Sequence, residues 1–404
     1  MRSKSKYGKI VLLLSVLFLV ASGCVYYNTF FLAKKNYNRA EKLRKKAGGE
    51  TIPAAAKPMY DKAIEKATKV LAYYPESDYV DDAIFLLGMC YLRTGDYTKA
   101  LRKFNELLNN FPESEFAAEA RYWRSVCLYY GGKEDEAVDS LKTIADEDPD
   151  HTEDAKFMLG ELAFQQEEYI EAKSAFLDFL EFFPESKLAS KAHLRLGQIE
   201  WFFKEYEKAA KHFEKIEEGD IPYEDYYTSQ SLLTQCYIKL GRLDDAQSIC
   251  DVLLKDQTYM SHWGDVELLV GDIEYARGNT EKAREIWEKI AEKYQRKETG
   301  AWAYFRLGEM YFDQGNYEMA KEMFDAAASQ VSSGEVRELA LKRSAVVSRL
   351  LALYSKIENA DSLGTDIVSA ELTLAEMYIT ELDEPDSAIS AYNYILQNFP
   401  DDSL

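Results

Sequence analysis

The sequence predicts an all-α protein, an α-solenoid made of tandem pairs of helices. Two further columns keep step with a recurring alanine: a small residue, usually glycine, lies twelve positions before it, and an aromatic or other apolar residue lies four positions after it. A fixed period of about 37 residues is typical of solenoids, in which each repeat contacts its neighbours. The alanines recur mostly 37 residues apart, at Ala63, Ala100, Ala137, Ala172, Ala209, Ala246, Ala283, Ala320 and, after a longer interval, Ala388.

Each repeat is predicted to contain two amphipathic helices joined by a turn. In most repeats a glycine lies five positions before the alanine, as at Gly95, and glycine adopts the turn conformation that ends a helix. The second helix ends before a proline, as at Pro112 and Pro184, because proline cannot continue a helix. At the crossing of the two helices, the small residue lets the backbones approach and the aromatic residue fills the remaining space. Because no repeat can bury its apolar face alone, the repeats must stack.

The first residues of the chain have the pattern of a secretory signal. Residues 1–9 carry four basic residues and no acidic one, and residues 10–22 are uncharged and largely apolar. The segment Val20–Cys24 resembles the lipobox of bacterial lipoproteins, which implies a signal peptide at 1–23 and a covalent lipid on Cys24. Because the first charge after residue 9 is Lys34, an uncleaved anchor is an alternative, and an ordinary signal peptide is another. Both leading interpretations attach the protein to a membrane outside the cytoplasm.

Residues 24–56 are predicted to be a lipid-anchored segment with a basic amphipathic helix. Between residues 24 and 47 there are seven basic residues and a single acidic residue, Glu41, whereas the whole chain has a formal charge of −21. Removal of residues 1–23 takes away four basic residues and no acidic one, which leaves −25. The basic face of this helix could meet anionic lipid head groups. Alternatively, the basic face could lie in solvent while the helix packs against the next one.

The repeats resemble the tetratricopeptide repeat (TPR) family. The order Leu-Gly-x-x-Tyr, Gly, Ala, Phe and Pro is matched most closely in residues 80–113 and 304–327. The resemblance implies a superhelix of TPR-like helix pairs over residues 57–333 and a final TPR-like repeat at 366–404. Residues 334–365 match poorly and are predicted to form an irregular helix and a loop.

A second resemblance concerns function. The lipobox together with residues 74–114 resembles BamD-like lipoproteins of outer-membrane protein assembly and the Tol–Pal accessory lipoproteins. It implies a membrane-anchored scaffold for interactions with other proteins of the bacterial cell envelope, at the periplasmic face of the outer membrane. The alternative is a module that binds peptidoglycan, the cell wall or a secretion apparatus.

Other classes of function lack support in the sequence. The strong negative charge argues against nucleic-acid binding, which requires neutralised phosphates. No histidine lies three or four residues from another histidine or cysteine, and phosphate-binding, dinucleotide-binding and serine-nucleophile motifs are missing from the sequence. We therefore expect no enzyme, no metal, no cofactor besides the lipid on Cys24, and no small-molecule substrate. The cysteines are expected to be reduced and buried, with Cys236 and Cys250 as the one pair worth testing for a bridge.

By resemblance to the TPR family, two columns of side chains would face the groove of the superhelix. They lie fifteen and eight positions before the recurring alanine and are rich in aromatic residues. Such a groove suits an extended or helical segment of another protein. Burial of the same columns between longer repeats is the alternative. The predicted groove residues are Phe85, Tyr122, Tyr129, Phe157, Phe164, Trp201, Tyr275, Phe305 and Phe312.

Overall fold

The computed structural model of the chain describes residues 28–47, 52–358, 365–382 and 385–399. The predicted signal peptide at 1–23, the predicted lipidation site Cys24 and most of the loop predicted near residue 360 lie outside the described residues. Within them the prediction of an all-α repeat fold is confirmed, since helix follows helix throughout and no β-strand is present.

The described residues form nineteen α-helices and one short 3₁₀ helix. The α-helices are α1 (28–46), α2 (Lys57–Tyr73), α3 (Val80–Arg93), α4 (Tyr97–Asn110), α5 (Ala117–Tyr130), α6 (Glu134–Glu147), α7 (Thr152–Gln165), α8 (Tyr169–Phe182), α9 (Ala189–Phe202), α10 (Tyr206–Phe213), α11 (Tyr223–Lys239), α12 (Leu243–Leu253), α13 (Trp263–Ala276), α14 (Thr280–Lys293), α15 (Glu298–Asp313), α16 (Tyr317–Gln330), α17 (Glu335–Glu358), α18 (Thr365–Thr380) and α19 (Pro385–Asn398). The 3₁₀ helix, Gln257–His262, precedes α13.

The chain divides into two compact units, with the division after Ser229 inside α11. In the first unit, α2 to α10 pack in chain order, each helix against the next. Helix α1 completes this unit, because its buried residues Phe30, Ala33 and Ala40 share one apolar core with α2 and α3. In the second unit, α12 to α19 pack in the same consecutive way.

The helix crossing in each repeat is as close as the sequence predicts. The eight recurring alanines from Ala63 to Ala320 are fully buried. At Gly88 an added Cβ would lie 2.6 Å from the Phe104 ring, and at Gly197 it would lie 2.5 Å from the Phe213 ring. The aromatic residue four positions after the alanine therefore occupies the space that the glycine leaves free.

The turn between the two helices has a left-handed residue. Gly95 has φ +77°, and an added Cβ there would meet nothing within 4 Å. In two repeats the same position holds Glu167 and Lys204, both with φ 60°. The backbone path of the turn is thus retained even where glycine is replaced.

The region predicted as an irregular helix and loop contains one long helix. Helix α17 runs without a break over 24 residues and packs on α16 and α18. It places Val347 and Leu350 in an apolar core together with Phe324 of α16 and Leu374 of α18. Residues on both sides of the poorly matching segment therefore share one core.

Across the part of the chain that the structure describes, no helix combines the length and the apolar character needed to span a lipid bilayer.

Candidate protein-binding surface

The predicted groove residues fifteen positions before the alanine pack towards the helix crossing. The ring of Phe157 lies 5.6 Å from that of Phe176, and the ring of Phe305 lies 5.4 Å from that of Phe324, measured between centroids. Phe85 lies 6.0 Å from Phe104 in the same way. This column therefore contacts the aromatic residues that fill the crossings.

Tyr122 occupies the same column and is buried, with 8% of its surface exposed. Its ring lies 5.0 Å from Trp123 and 6.3 Å from His151. Burial raises the pKa of the Tyr122 phenol well above its usual value, so the side chain remains a neutral hydrogen-bond donor at physiological pH.

The residues eight positions before the alanine lie closer to solvent, and Tyr129, Phe164 and Tyr275 are half-buried. The guanidinium of Arg195 lies 4.7 Å above the Phe164 ring, and that of Arg343 lies 4.6 Å above the buried Phe312 ring. An arginine from the next repeat thus covers one face of the aromatic ring, an arrangement favoured by the negative face of the π-system.

Tyr275 is held by a polar contact to the next repeat. Its hydroxyl donates a hydrogen bond of 2.7 Å to the Asp313 carboxylate. Burial is the main cause that raises the pKa of Tyr275 to about 12, and the Asp313 carboxylate adds to the effect. The phenol is therefore fixed in orientation and protonated at neutral pH.

Trp201 has a half-buried side chain with an unusual indole nitrogen. Its Nε1 is inaccessible to solvent and has no hydrogen-bond partner among the described residues. A buried donor without a partner costs on the order of 1–3 kcal/mol. The position of the indole therefore carries a polar penalty.

Ion pairs between neighbouring repeats lie beside the aromatic columns, and sequence analysis missed them. Arg195 forms two bonds to the Glu161 carboxylate, at 2.7 and 3.0 Å, and Arg343 forms two to Glu309, at 2.6 and 2.9 Å. Arg306 contacts Asp272 at 3.0 Å. The signal in the sequence is an acidic residue followed by an arginine 34 positions later. We name these pairs the inter-repeat ladder; they fix the contact between adjacent repeats beside the half-buried aromatic side chains.

None of the nine predicted groove residues is among the highly exposed apolar residues of the described chain. The column fifteen positions before the alanine belongs mainly to the cores, and the column eight positions before it lies at their edge. Binding of a protein segment by these residues stays a prediction, and the second column is the accessible part of it.

The cysteines and the potential metal ligands lie outside the two columns. Cys90, Cys127, Cys236 and Cys250 are free and buried, and burial raises the pKa of the Cys250 thiol to about 12. Within the described residues no group of three or more His, Cys, Asp and Glu side chains is placed to hold a metal ion.

One histidine pair was also missed by sequence analysis, because its members are 19 residues apart. Nδ1 of His193 on α9 lies 2.9 Å from Nδ1 of His212 on α10, so one imidazole donates a hydrogen bond to the other. Burial lowers the pKa of both imidazoles to about 4, and Lys215 contributes to the lowering at each.

Comparison with families of known proteins yields two matches. Residues 48–220 match the family model described as YfiO, outer membrane lipoprotein. Residues 265–330 match a model of the tetratricopeptide repeat. TPR and YfiO-like proteins are interaction scaffolds, not enzymes. No curated protein sequence matches the chain.

Comparison with solved structures finds similar chains at low sequence identity. The apo form of RapI is 14% identical, with 91% of this chain and 99% of that chain covered and a TM-score of 0.53. PilF of Pseudomonas aeruginosa is 17% identical over 54% of this chain and 93% of that chain, with a TM-score of 0.40. A tetratricopeptide repeat protein from Parabacteroides merdae is 16% identical over 78% of this chain and 99% of that chain, with a TM-score of 0.33. The likeness to RapI supports the fold alone.

Proposed function

We propose that the chain is a lipid-anchored scaffold of the bacterial cell envelope, because residues 48–220 match the YfiO outer membrane lipoprotein model and residues 265–330 match a tetratricopeptide repeat model. The lipid is attached to Cys24, and the repeats bind other envelope proteins at the periplasmic face of the outer membrane. The observation that carries this proposal is the family match, which begins just after the basic segment that follows Cys24. The lipobox is independent support from the sequence.

A role in outer-membrane protein assembly is the finer form of the proposal. Within the predicted groove, the half-buried aromatic column is the part that reaches solvent, and Trp201 has the largest side chain in it. Aromatic residues of this kind dominate the energetics of protein interfaces. The binding surface proposed is therefore this column, with Tyr129, Phe164 and Trp201 at its centre in the first unit.

Anchoring is tested by labelling cells with radioactive palmitate. The wild-type chain is expected to incorporate the label and to fractionate with the outer membrane, whereas Cys24→Ala is expected to do neither, because the acceptor thiol is lost. Mass spectrometry of the mature protein gives the control, since the proposal requires that residues 1–23 be absent. An intact N-terminus would instead favour the uncleaved anchor.

Partner binding is tested by crosslinking and purification from detergent-solubilised envelopes. If Trp201 contributes to the surface, Trp201→Ala weakens capture of barrel-assembly or Tol–Pal proteins by about 2 kcal/mol or more and leaves the melting temperature almost unchanged. If Trp201 acts in the core, the change costs about 3–5 kcal/mol of stability, and binding is lost only through unfolding. Phe202→Ala, at the exposed neighbouring residue, is the matched control. Retention of peptidoglycan instead of protein partners would favour the cell-wall module.

A further inference from the structure

A cavity of about 740 Å³ lies between α1 and the start of α3. We name it the basic cavity, because Lys34, Lys35, Arg39 and Lys42 of α1 line it and a single carboxylate, that of Asp82, faces them. Burial, with a contribution from Asp81, raises the pKa of Asp82 to about 6. Positive charge therefore predominates in the cavity at neutral pH.

The four cations of the basic cavity are gathered around one cavity, whereas other exposed lysines without an ion pair in the described part of the chain, such as Lys57 and Lys62, lie outside it. Among the described residues, no carboxylate oxygen lies within 4.0 Å, the limit for an ion pair, of the charged nitrogens of these four cations. Some exposed lysines elsewhere, such as Lys69, Lys99 and Lys133, contact a carboxylate at 2.6 or 2.7 Å. In a chain with a formal charge of −21, a group of unneutralised cations around one cavity is a local reversal of sign.

The remaining wall of the cavity is aromatic. The buried ring of Phe30 stacks on Tyr79 with centroids 5.2 Å apart. Phe31 is 48% exposed, and Nζ of Lys35 lies 6.0 Å from the centre of its ring. Aromatic rings next to basic side chains match the head-group level of a bilayer, where apolar and anionic groups meet.

The position of the cavity along the chain places it near the proposed anchor. Phe30 comes six residues after Cys24, and six extended residues span at most about 20 Å. If Cys24 is acylated, the basic cavity must therefore lie close to the membrane surface. Anionic lipid head groups would be the most concentrated anions at that distance.

We propose that the basic cavity binds the phosphate-bearing head group of an anionic phospholipid. The proposal rests on the proposed lipid anchor for the identity of the ligand, and on the four unpaired cations and the aromatic wall for its chemistry. Binding would hold the first repeats in a fixed orientation on the membrane, which a flexible lipid anchor alone does not provide.

The test uses the full-length wild-type chain, purified in a non-ionic detergent and titrated calorimetrically with dihexanoyl-phosphatidylglycerol. Dihexanoyl-phosphatidylcholine and inorganic phosphate are titrated in parallel. The charge variant combines Lys34→Gln, Lys35→Gln, Arg39→Gln and Lys42→Gln. The matched control removes the same charge at exposed lysines outside the cavity, with Lys45→Gln, Lys46→Gln, Lys57→Gln and Lys62→Gln.

The wild type is expected to bind the phosphatidylglycerol selectively. Because each basic residue is attracted to an anionic surface, binding should be at least about 10-fold weaker in the charge variant. In the control, the affinity should change less than about 2-fold. Three results would overturn the proposal. The charge variant could bind phosphatidylglycerol as tightly as wild type, or the control could lose as much affinity as the charge variant. The wild type could also bind phosphatidylcholine or phosphate as tightly as phosphatidylglycerol. If the charge variant melts differently from wild type, Lys35→Gln and Arg39→Gln are tested singly, each with an expected loss of about fivefold; no loss in either overturns the proposal. Mass spectrometry of the same sample reports the acylation of Cys24, so failure of the anchor and failure of the cavity are separate results.

Discussion

The helix crossing and the turn inside each repeat both carry glycine, but the crossing leaves no room for a side chain and the turn leaves ample room. At Gly271, in the crossing of α13 and α14, an added Cβ would lie 2.2 Å from Nε1 of Trp287. At Gly278, in the turn of the same repeat, it would meet nothing within 4 Å, but φ is +81°. Steric exclusion selects glycine at the crossing, and backbone conformation selects it at the turn.

The replacements found at the two positions follow this difference. At the crossing, Ser125 and Thr234 take the place of glycine, and in those repeats the filling residue is smaller, Leu141 or Cys250 in place of an aromatic ring. At the turn, the replacements are the long side chains of Glu167 and Lys204, which solvent accommodates. At a crossing, the sizes of the two facing side chains thus compensate each other. At a turn, only the positive φ of the backbone has to be kept.

The largest effects are expected at the crossing of α13 and α14. Trp287→Ala removes a fully buried indole and should cost about 3–5 kcal/mol of unfolding free energy. Gly271→Ala should cost about 1–3 kcal/mol by overpacking, because the indole cannot move out of a filled core. Both values are measured by denaturant unfolding.

A double-mutant cycle sharpens this prediction. In a Trp287→Leu background, Gly271→Ala should become nearly neutral, since a Ser–Leu pair fills the equivalent crossing at Ser125 and Leu141. Gly278→Ala is the control and should cost the same in both backgrounds. Additive costs for Gly271→Ala and Trp287→Leu would contradict shared volume at the crossing.

A smaller effect, dependent on pH, is expected at the crossing of α9 and α10, where His193 contacts His212. The pKa of each imidazole is lowered from 6.5 to about 4, so the unfolded chain binds more protons than the folded one between these pH values. Stability should therefore fall as the pH drops from 6.5 to 4, by about 1–2 kcal/mol for the pair after allowance for solvent screening.

The histidine contribution is isolated as the difference between wild type and the double variant His193→Gln, His212→Gln. Thermal melts at pH 7, 5.5 and 4 should show a shallower loss of stability in the variant. Glu200, whose carboxylate lies 3.6 Å from Nε2 of His212, is replaced by Gln in both proteins, and carboxylates that do not contact the pair cancel in the comparison. Parallel pH profiles would show that the imidazoles do not titrate in this range.

The smallest effect is expected at the turns, and it is a gain. Glu167→Gly and Lys204→Gly should each stabilise the protein by roughly 0.5–1 kcal/mol, because glycine adopts φ 60° without the penalty of a Cβ. Lys204→Ala removes the same long side chain but keeps the Cβ, so it should leave stability unchanged. A gain of equal size in Lys204→Ala would show that the side chain, and not the backbone angle, is the cause.

Features that recur in a column of every repeat could be predicted from the sequence, whereas contacts that depend on stacking or occur once were missed. The pairing of Gly88 with Phe104 recurs at fixed spacing within each helix pair, so the columns alone indicated that the two residues meet. The contact of Arg195 with Glu161 joins neighbouring repeats, and it depends on the angle at which they stack. The His193–His212 contact occurs in a single crossing and has no column to reveal it. The burial of Phe164 and Trp201 also depends on how neighbouring repeats stack, so the period alone could not predict it.

The inter-repeat ladder has a consequence for how such a chain grows by gene duplication. A glycine and the aromatic residue that fills its crossing belong to the same repeat, so a copied repeat carries its own core with it. The arginine and the acid of a ladder contact belong to different repeats, as in Arg343 and Glu309. Insertion of a repeat that lacks either group leaves a charged side chain at the new junction without its counter-ion. At the three junctions with a ladder contact, a new neighbour must therefore supply the matching charge to keep the ion pair.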